Sequence, residues 1–170
     1  MTSPRLMRLA KDYETLRLRF DAHPFIDVQP LGPAPHERYR VLYRLPSLRL
    51  NANNMPTVVN QTVVDFELPA TYPKDKPRAV ATERVFHPNF GDWVCIADFW
   101  SPAQSLADIV LEVGEMLQWQ KYNIQSPLSA TAADWAVKNA HQLPVGDINL
   151  PSHTTTPEIR IISNQRGDHA

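Results

Sequence analysis

Hydrophobic and polar positions follow two periods along this chain. Leu6, Leu9, Ala10, Tyr13 and Leu16 recur at steps of three and four, the spacing that lines one stripe of a helix. Ser3 and Pro4 precede them. A serine oxygen caps free N–H groups, and proline at the first helical position has no N–H to leave unpaired. The opposite face carries Arg5, Arg8, Lys11 and Arg17; it reads as a solvated face or as a docking surface for an acidic partner. After His23-Pro24 the period becomes two. Phe25, Ile26 and Val28 predict a short strand, and the segment PLGPAP a turn. Residues 38–45 predict a half-buried strand with Tyr39, Val41, Tyr43 and Leu45 inward. Residues 57–68 predict another, with Thr62, Val64, Phe66 and Leu68 inward and NANNMP as the turn between the two arms. A short strand is expected at 79–81.

Further on the helical period returns. Ser101, Pro102 and Gln104 have the form of a capping box. The helix they start would bury Leu106, Ile109, Val110, Val113 and Leu117 and keep Asp108, Glu112 and Glu115 in water. A third helix is expected from residues 129–131, with Ala132, Trp135 and Ala136 on one side. From Pro144 the periodicity fades. The reading is one domain over residues 1–143 and an irregular tail over 144–170, with a small edge strand at 158–162. Strands in a run, with helices before and after, argue for an α+β layer with helices on one face of an antiparallel sheet.

Composition narrows the function. A chain of 170 residues with net charge −1 projects no field toward nucleic acid or a membrane surface, and neither is expected as a partner. There is one cysteine, which cannot close an internal disulfide, form a CxxC pair or build a metal cluster. It predicts a reducing, cytoplasmic setting with no cofactor and no metal. No apolar run is long enough to span a bilayer, and no basic-then-apolar leader opens the chain.

That cysteine sits in FHPNFGDWVCIADFWSP. Three patches in order resemble the ubiquitin-conjugating enzymes: Tyr72-Pro73 with Pro77; His87-Pro88-Asn89, Gly91, Cys95 and Trp100-Ser101-Pro102; and Ser126-Pro127-Leu128 with Ala132 and Ala133. They look like the family's YPxxPP turn, HPN triplet, nucleophile, WSP and PL…AA motifs, over roughly residues 4–140. The resemblance implies that family's α+β fold: an N-terminal helix, a four-stranded antiparallel meander sheet, an irregular Cys-bearing segment, then central and C-terminal helices. Cys95 follows Asn89 by six positions and Trp100 follows Cys95 by five, both shorter than the family's usual spacing. The later helices of longer members are not expected after Asn139. Such trimming resembles bacterial relatives that occur with a ubiquitin-like protein, an activating enzyme and a deconjugating metalloprotease.

The resemblance implies that Cys95 takes a ubiquitin-like protein from an activating enzyme as a thioester and passes it to an amine of a protein substrate. Sulfur suits both steps, because the thiolate is a good nucleophile and a thioester is reactive toward amines. Asn89 would stabilise the oxyanion or brace the adjoining loop, and Ser126 would orient the incoming amine. His87, Pro88, Trp100 and Asp98 would be structural neighbours, Asp98 also a source of negative charge. Trp93, Trp100 and Trp119 read as packing residues. Lys74 stands where relatives place a ligase-docking Phe, which implies direct transfer to the target. Two other readings stay open: a noncatalytic module of the same fold that binds a ubiquitin-like protein, and a thiol hydrolase pairing Cys95 with His87 or His141.

Overall fold

The computed structural model describes residues 3–96 and 99–154. Helix α1 (Pro4–Phe20) is capped by Ser3, whose hydroxyl accepts the Leu6 N–H. Its buried stripe is Leu9, Asp12, Leu16 and Phe20, so the expected stripe is turned. Leu6 is 41% exposed and Ala10 is also outside, while a carboxylate takes a core position. The basic face is largely tied down by carboxylates: Arg5 to Glu37 at 2.6 Å, Arg8 to Asp12 at 2.7 Å and Arg17 to Asp21 at 3.0 Å.

Strands β1 (Ile26–Leu31) and β2 (Arg38–Tyr43) pair antiparallel. The predicted inward set Tyr39, Val41, Tyr43 and Leu45 is buried throughout. The single strand expected at 57–68 is broken. Strand β3 (Ser47–Leu50) pairs with β4 (Pro56–Val59) in a separate two-stranded ribbon, and β5 (Thr62–Glu67) returns to pair with β2. The 57–68 strand breaks at Asn60-Gln61; on the opposite arm Pro46, which has no N–H to continue a ladder, separates β2 from β3. The Ser47 and Thr62 hydroxyls bond across the junction at 2.9 Å. Strand β6 (Arg78–Ala81) completes a four-stranded antiparallel sheet in the order β1-β2-β5-β6.

Helix α2 (Leu106–Leu117) packs its apolar face into the main core. It starts one turn later than expected. Ser105 is its cap and Asp108 closes the capping box; Ser101 and Gln104 form only a turn, with the Ser101 N–H donating to Gln104 Oε1 at 3.0 Å. Asp108, Glu112 and Glu115 are half-buried rather than fully in water. Asp108 reaches Arg19 at 2.7 Å. Burial works against its charge, but the Ser105 bonds and Arg19 outweigh it and hold the carboxyl below its usual range. Helix α3 (Ala130–Lys138) begins at the Ser129 cap and buries Ala132, Ala133 and Ala136. The irregular segment after it is packed through residue 154, with Leu150 wholly buried in the main core. The strand expected at 158–162 lies outside the described residues. Among the described residues no helix is long and apolar enough to cross a membrane.

Candidate functional site

The Cys-bearing segment is built by short-range bonding. Phe90 and Val94 form an isolated antiparallel bridge, the Gly91 N–H donates to the Trp93 carbonyl at 3.0 Å, and the Val94 N–H reaches the Ala79 carbonyl on β6 at 2.8 Å. Gly91 lies close against Leu128: an added Cβ would sit 3.1 Å from the Leu128 Cβ. Val94 and Ile96 are buried. Extended backbone sends alternate side chains to opposite sides, so Cys95 between them faces outward and is half-buried. The Cys95 N–H donates to the Asn89 carbonyl at 2.9 Å, and Lys76 Nζ holds the Ile96 carbonyl at 2.7 Å.

Cys95 opens on a groove of about 440 Å³. Asn89 shares its floor, Glu112 and Met116 of α2 form one side, and the turn after α2 supplies Gln120 and Asn123. None of these α2 and turn residues was singled out as a site residue by the sequence; Glu112 was expected only on the wet face of the helix. The WQKYN stretch carries no motif, and only the end of the helical stripe marks it as a turn.

The HPN triplet holds that turn. His87 is fully buried; its Nδ1 accepts the Asn89 N–H at 3.1 Å, so Nε2 carries the proton it donates to the Lys121 carbonyl at 3.1 Å. Burial pushes its pKa down to about 4, against a smaller upward effect of the Lys121 bond. A neutral ring with both nitrogens bonded to backbone cannot serve Cys95 as a base. The Asn89 amide grips Asn123 from both ends, donating to its carbonyl at 2.9 Å and accepting its N–H at 2.7 Å. Of the two roles open for Asn89, bracing is visible in these bonds. An amide NH₂ carries two hydrogens, and Asn123 takes one. The Pro88 carbonyl accepts the Leu128 and Ser129 N–H groups at 2.8 and 3.0 Å, which ties the start of α3 to the triplet.

The remaining predicted residues scatter. Ser126 is exposed on the approach to α3 and does not line the groove. His141 is exposed and also outside it. Asp98 lies outside the described residues. Trp100 packs near Tyr72 and donates its indole N–H to the Pro73 carbonyl at 2.9 Å, and Trp119 is buried at 1% exposure. Trp93, expected to pack, is 55% exposed, as is Phe99 at 93%; both flank the Cys95 segment. Lys74, Pro102 and Ala103 are exposed. Among the described residues no cluster of His, Cys, Asp and Glu is arranged to hold a metal ion.

Behind the site, Asp12 organises the join between helices and sheet. Its Oδ2 accepts from Arg8 Nε at 2.7 Å and from the Tyr72 hydroxyl at 2.5 Å; its Oδ1 accepts the Leu106 N–H at 3.1 Å. Arg8 continues to the Pro102 and Gln104 carbonyls. Burial, then the Asp12 bond, raises the Tyr72 hydroxyl pKa, so it stays a donor.

Comparison with known proteins places this geometry. The family model described as ubiquitin-conjugating enzyme matches residues 60–143. Among solved structures the chain is similar to S. cerevisiae Ubc12, with a TM-score of 0.62 at 19% identity, covering 84% of this chain and 74% of that one. At that identity the likeness is one of fold.

Proposed function

We propose, from the match of residues 60–143 to the family model described as ubiquitin-conjugating enzyme, that the chain belongs to that family and conjugates a ubiquitin-like protein through a thioester on Cys95. The observation that carries this is the outward, half-buried thiol between inward Val94 and Ile96, opening on a groove whose lining turn at Asn123 is pinned by Asn89. In the first step the Cys95 thiolate attacks the carbonyl carbon of the thioester joining the modifier's C-terminus to an activating enzyme, and the enzyme's thiolate leaves. In the second an amine of the target attacks the new thioester, the Cys95 sulfur leaves, and an isopeptide bond replaces the C–S bond. The acyl group arrives activated, so Cys95 needs no paired histidine, in keeping with a His87 wholly engaged by backbone.

Asn89 braces the groove wall, and its second amide hydrogen is the one that meets the oxyanion. Ser126, exposed on the approach to α3 and not lining the groove, would meet the amine only on its way in. The charged, exposed Lys74, standing where the resemblance places a ligase-docking Phe, favours direct transfer without a ligase of apolar docking groove. The shortened Cys segment supports a bacterial relative of the family, and the domain extends past residue 143 at least to Leu150, which is buried in the main core.

The test is incubation with ATP, an activating enzyme and a ubiquitin-like protein encoded beside this chain. An adduct that reducing agent removes is expected, lost in Cys95→Ala and converted by Cys95→Ser to one that resists reducing agent. A stable complex with no adduct would instead make this a binding module; ester cleavage without ATP would make it a hydrolase.

A further inference from the structure

The groove residues that follow α2, Gln120 to Asn123, are held from two sides, and the HPN triplet is only one of them. Helix α2 ends at Leu117, and two residues later Trp119 has φ of 59° with 1% of its surface exposed. A large side chain in the left-handed region is strained, so its surroundings must hold it there. His87 and Asn89 hold Lys121 and Asn123 from the front.

The C-terminal segment holds the back. The Gly146 N–H donates to the Gln118 carbonyl at 2.8 Å. The fully buried Gln118 side chain pairs with the Ile148 backbone in both directions, accepting its N–H and donating to its carbonyl, each at 3.2 Å, as a neighbouring strand would. Gln120, which lines the groove, donates to the Gly146 carbonyl at 2.9 Å and the Ile148 carbonyl at 3.2 Å. The fit is close: a Cβ on Gly146 would lie 2.6 Å from Gln118 Oε1. At the far end Leu150 has no exposed surface, its carbonyl bonds His23 Nε2 at 3.1 Å, and its Cδ1 lies where a Cβ on Gly114 would come within 2.4 Å.

We propose that residues 146–150 are a strap that sets the width of the Cys95 groove, with Gln118 and Gln120 as positioning residues for amine transfer. Releasing the strap lets the Trp119 turn relax and carries the wall at Gln120 and Asn123 away from the sulfur. The role in transfer rests on the reading of this groove as the transfer site; the role in shaping the groove does not.

The experiment uses the full chain carrying Gly146→Val, with Gln120→Ala as a second variant that removes two strap bonds from an exposed side chain. Alkylation of Cys95 by iodoacetamide is compared with alkylation by a fluorescein maleimide, and hydrogen exchange is followed at the Asn123 amide. Discharge of the Cys95 thioester to a free amine is then timed. The bulky reagent is expected to gain several-fold over the small one, Asn123 to exchange faster, and discharge to slow about tenfold, less than the roughly hundredfold that a misplacement of about 1 Å can cost. Gln120→Ala shifts all three the same way by less, and decides the matter alone should Gly146→Val not fold. A merely structural tail would lower the melting temperature and leave the alkylation ratio and exchange unchanged; that result overturns the strap. Altered access with unchanged discharge overturns the positioning role. Absence of any wild-type thioester defeats the conjugation reading instead, while alkylation and exchange still judge the strap.

Discussion

His87 shows how one buried side chain couples the site to pH. It has no exposed surface, and burial keeps it neutral down to about pH 4, whereas in the unfolded chain it takes up a proton near 6.5. Above pH 6.5 the ring is neutral in both states and contributes no pH dependence. Between 6.5 and 4 unfolding binds a proton, so stability falls with pH, by about 3 kcal/mol when the fall is complete. His23, lowered mainly by burial and also by His153, acts in the same direction. Urea titrations from pH 7 to 4 are expected to show this decline, with a shallower slope in His87→Gln. Equal slopes in both proteins would mean that His87 is not the group responsible. At the same scale, Cys95 was legible as the nucleophile candidate from its motif, and its outward direction follows from the alternation Val94-Cys95-Ile96. The groove lining of Gln120 and Asn123 was not legible, because those residues meet Asn89 only through space.

The start of α2 illustrates the limit at the level of an element. Ser101 with Gln104 and Ser105 with Asp108 are both serines followed three residues later by a side chain that can reach back. Local chemistry does not choose between them. Arg8, from the far end of the chain, takes the Pro102 and Gln104 carbonyls, and Asp12 takes the Leu106 N–H. The helix therefore begins after Ser105. Replacing Ser105 with Ala is expected to cost about 1 kcal/mol through the lost cap, and Ser101→Ala within about 0.5 kcal/mol, as for a surface position. Thermal or urea unfolding of the pair checks this, and the reverse order would return the cap to Ser101. The separation of β2 from β3 has a nearer cause: Pro46 lies between them and is visible in the sequence as a ladder break.

Across the whole molecule, the Asp12 carboxylate joins α1, the start of α2, the Tyr72 turn and, through Arg8, the loop before α2. Burial opposes the charge on Arg8, but Asp12 outweighs it and raises the guanidinium pKa. Asp12→Ala would leave a guanidinium, a buried hydroxyl and a helix N–H without their acceptor. A loss of roughly 3–5 kcal/mol is expected, the cost of breaking a buried pair by removing one partner. Chemical denaturation measures it, and a loss below about 1 kcal/mol, the scale of an exposed ion pair, would show that the network does not tie these elements together.

By itself the sequence determined what short-range periodicity and local chemistry encode: the α+β class, the inward faces of β2 and β5, the burial stripe of α2, the start of α3 near residues 129–131, and the motif order that singles out Cys95. The tertiary structure decided what depends on residues distant in the chain. It turned the α1 stripe to admit Asp12, moved the α2 cap, exposed Trp93, left Ser126 outside the groove, and seated residues 146–150 against Gln118 and Gln120. For Asp12, the α2 cap and Gln118 the physical reason is the same. A buried polar group must find a partner in space, and where several local choices cost nearly the same, that distant partner selects among them.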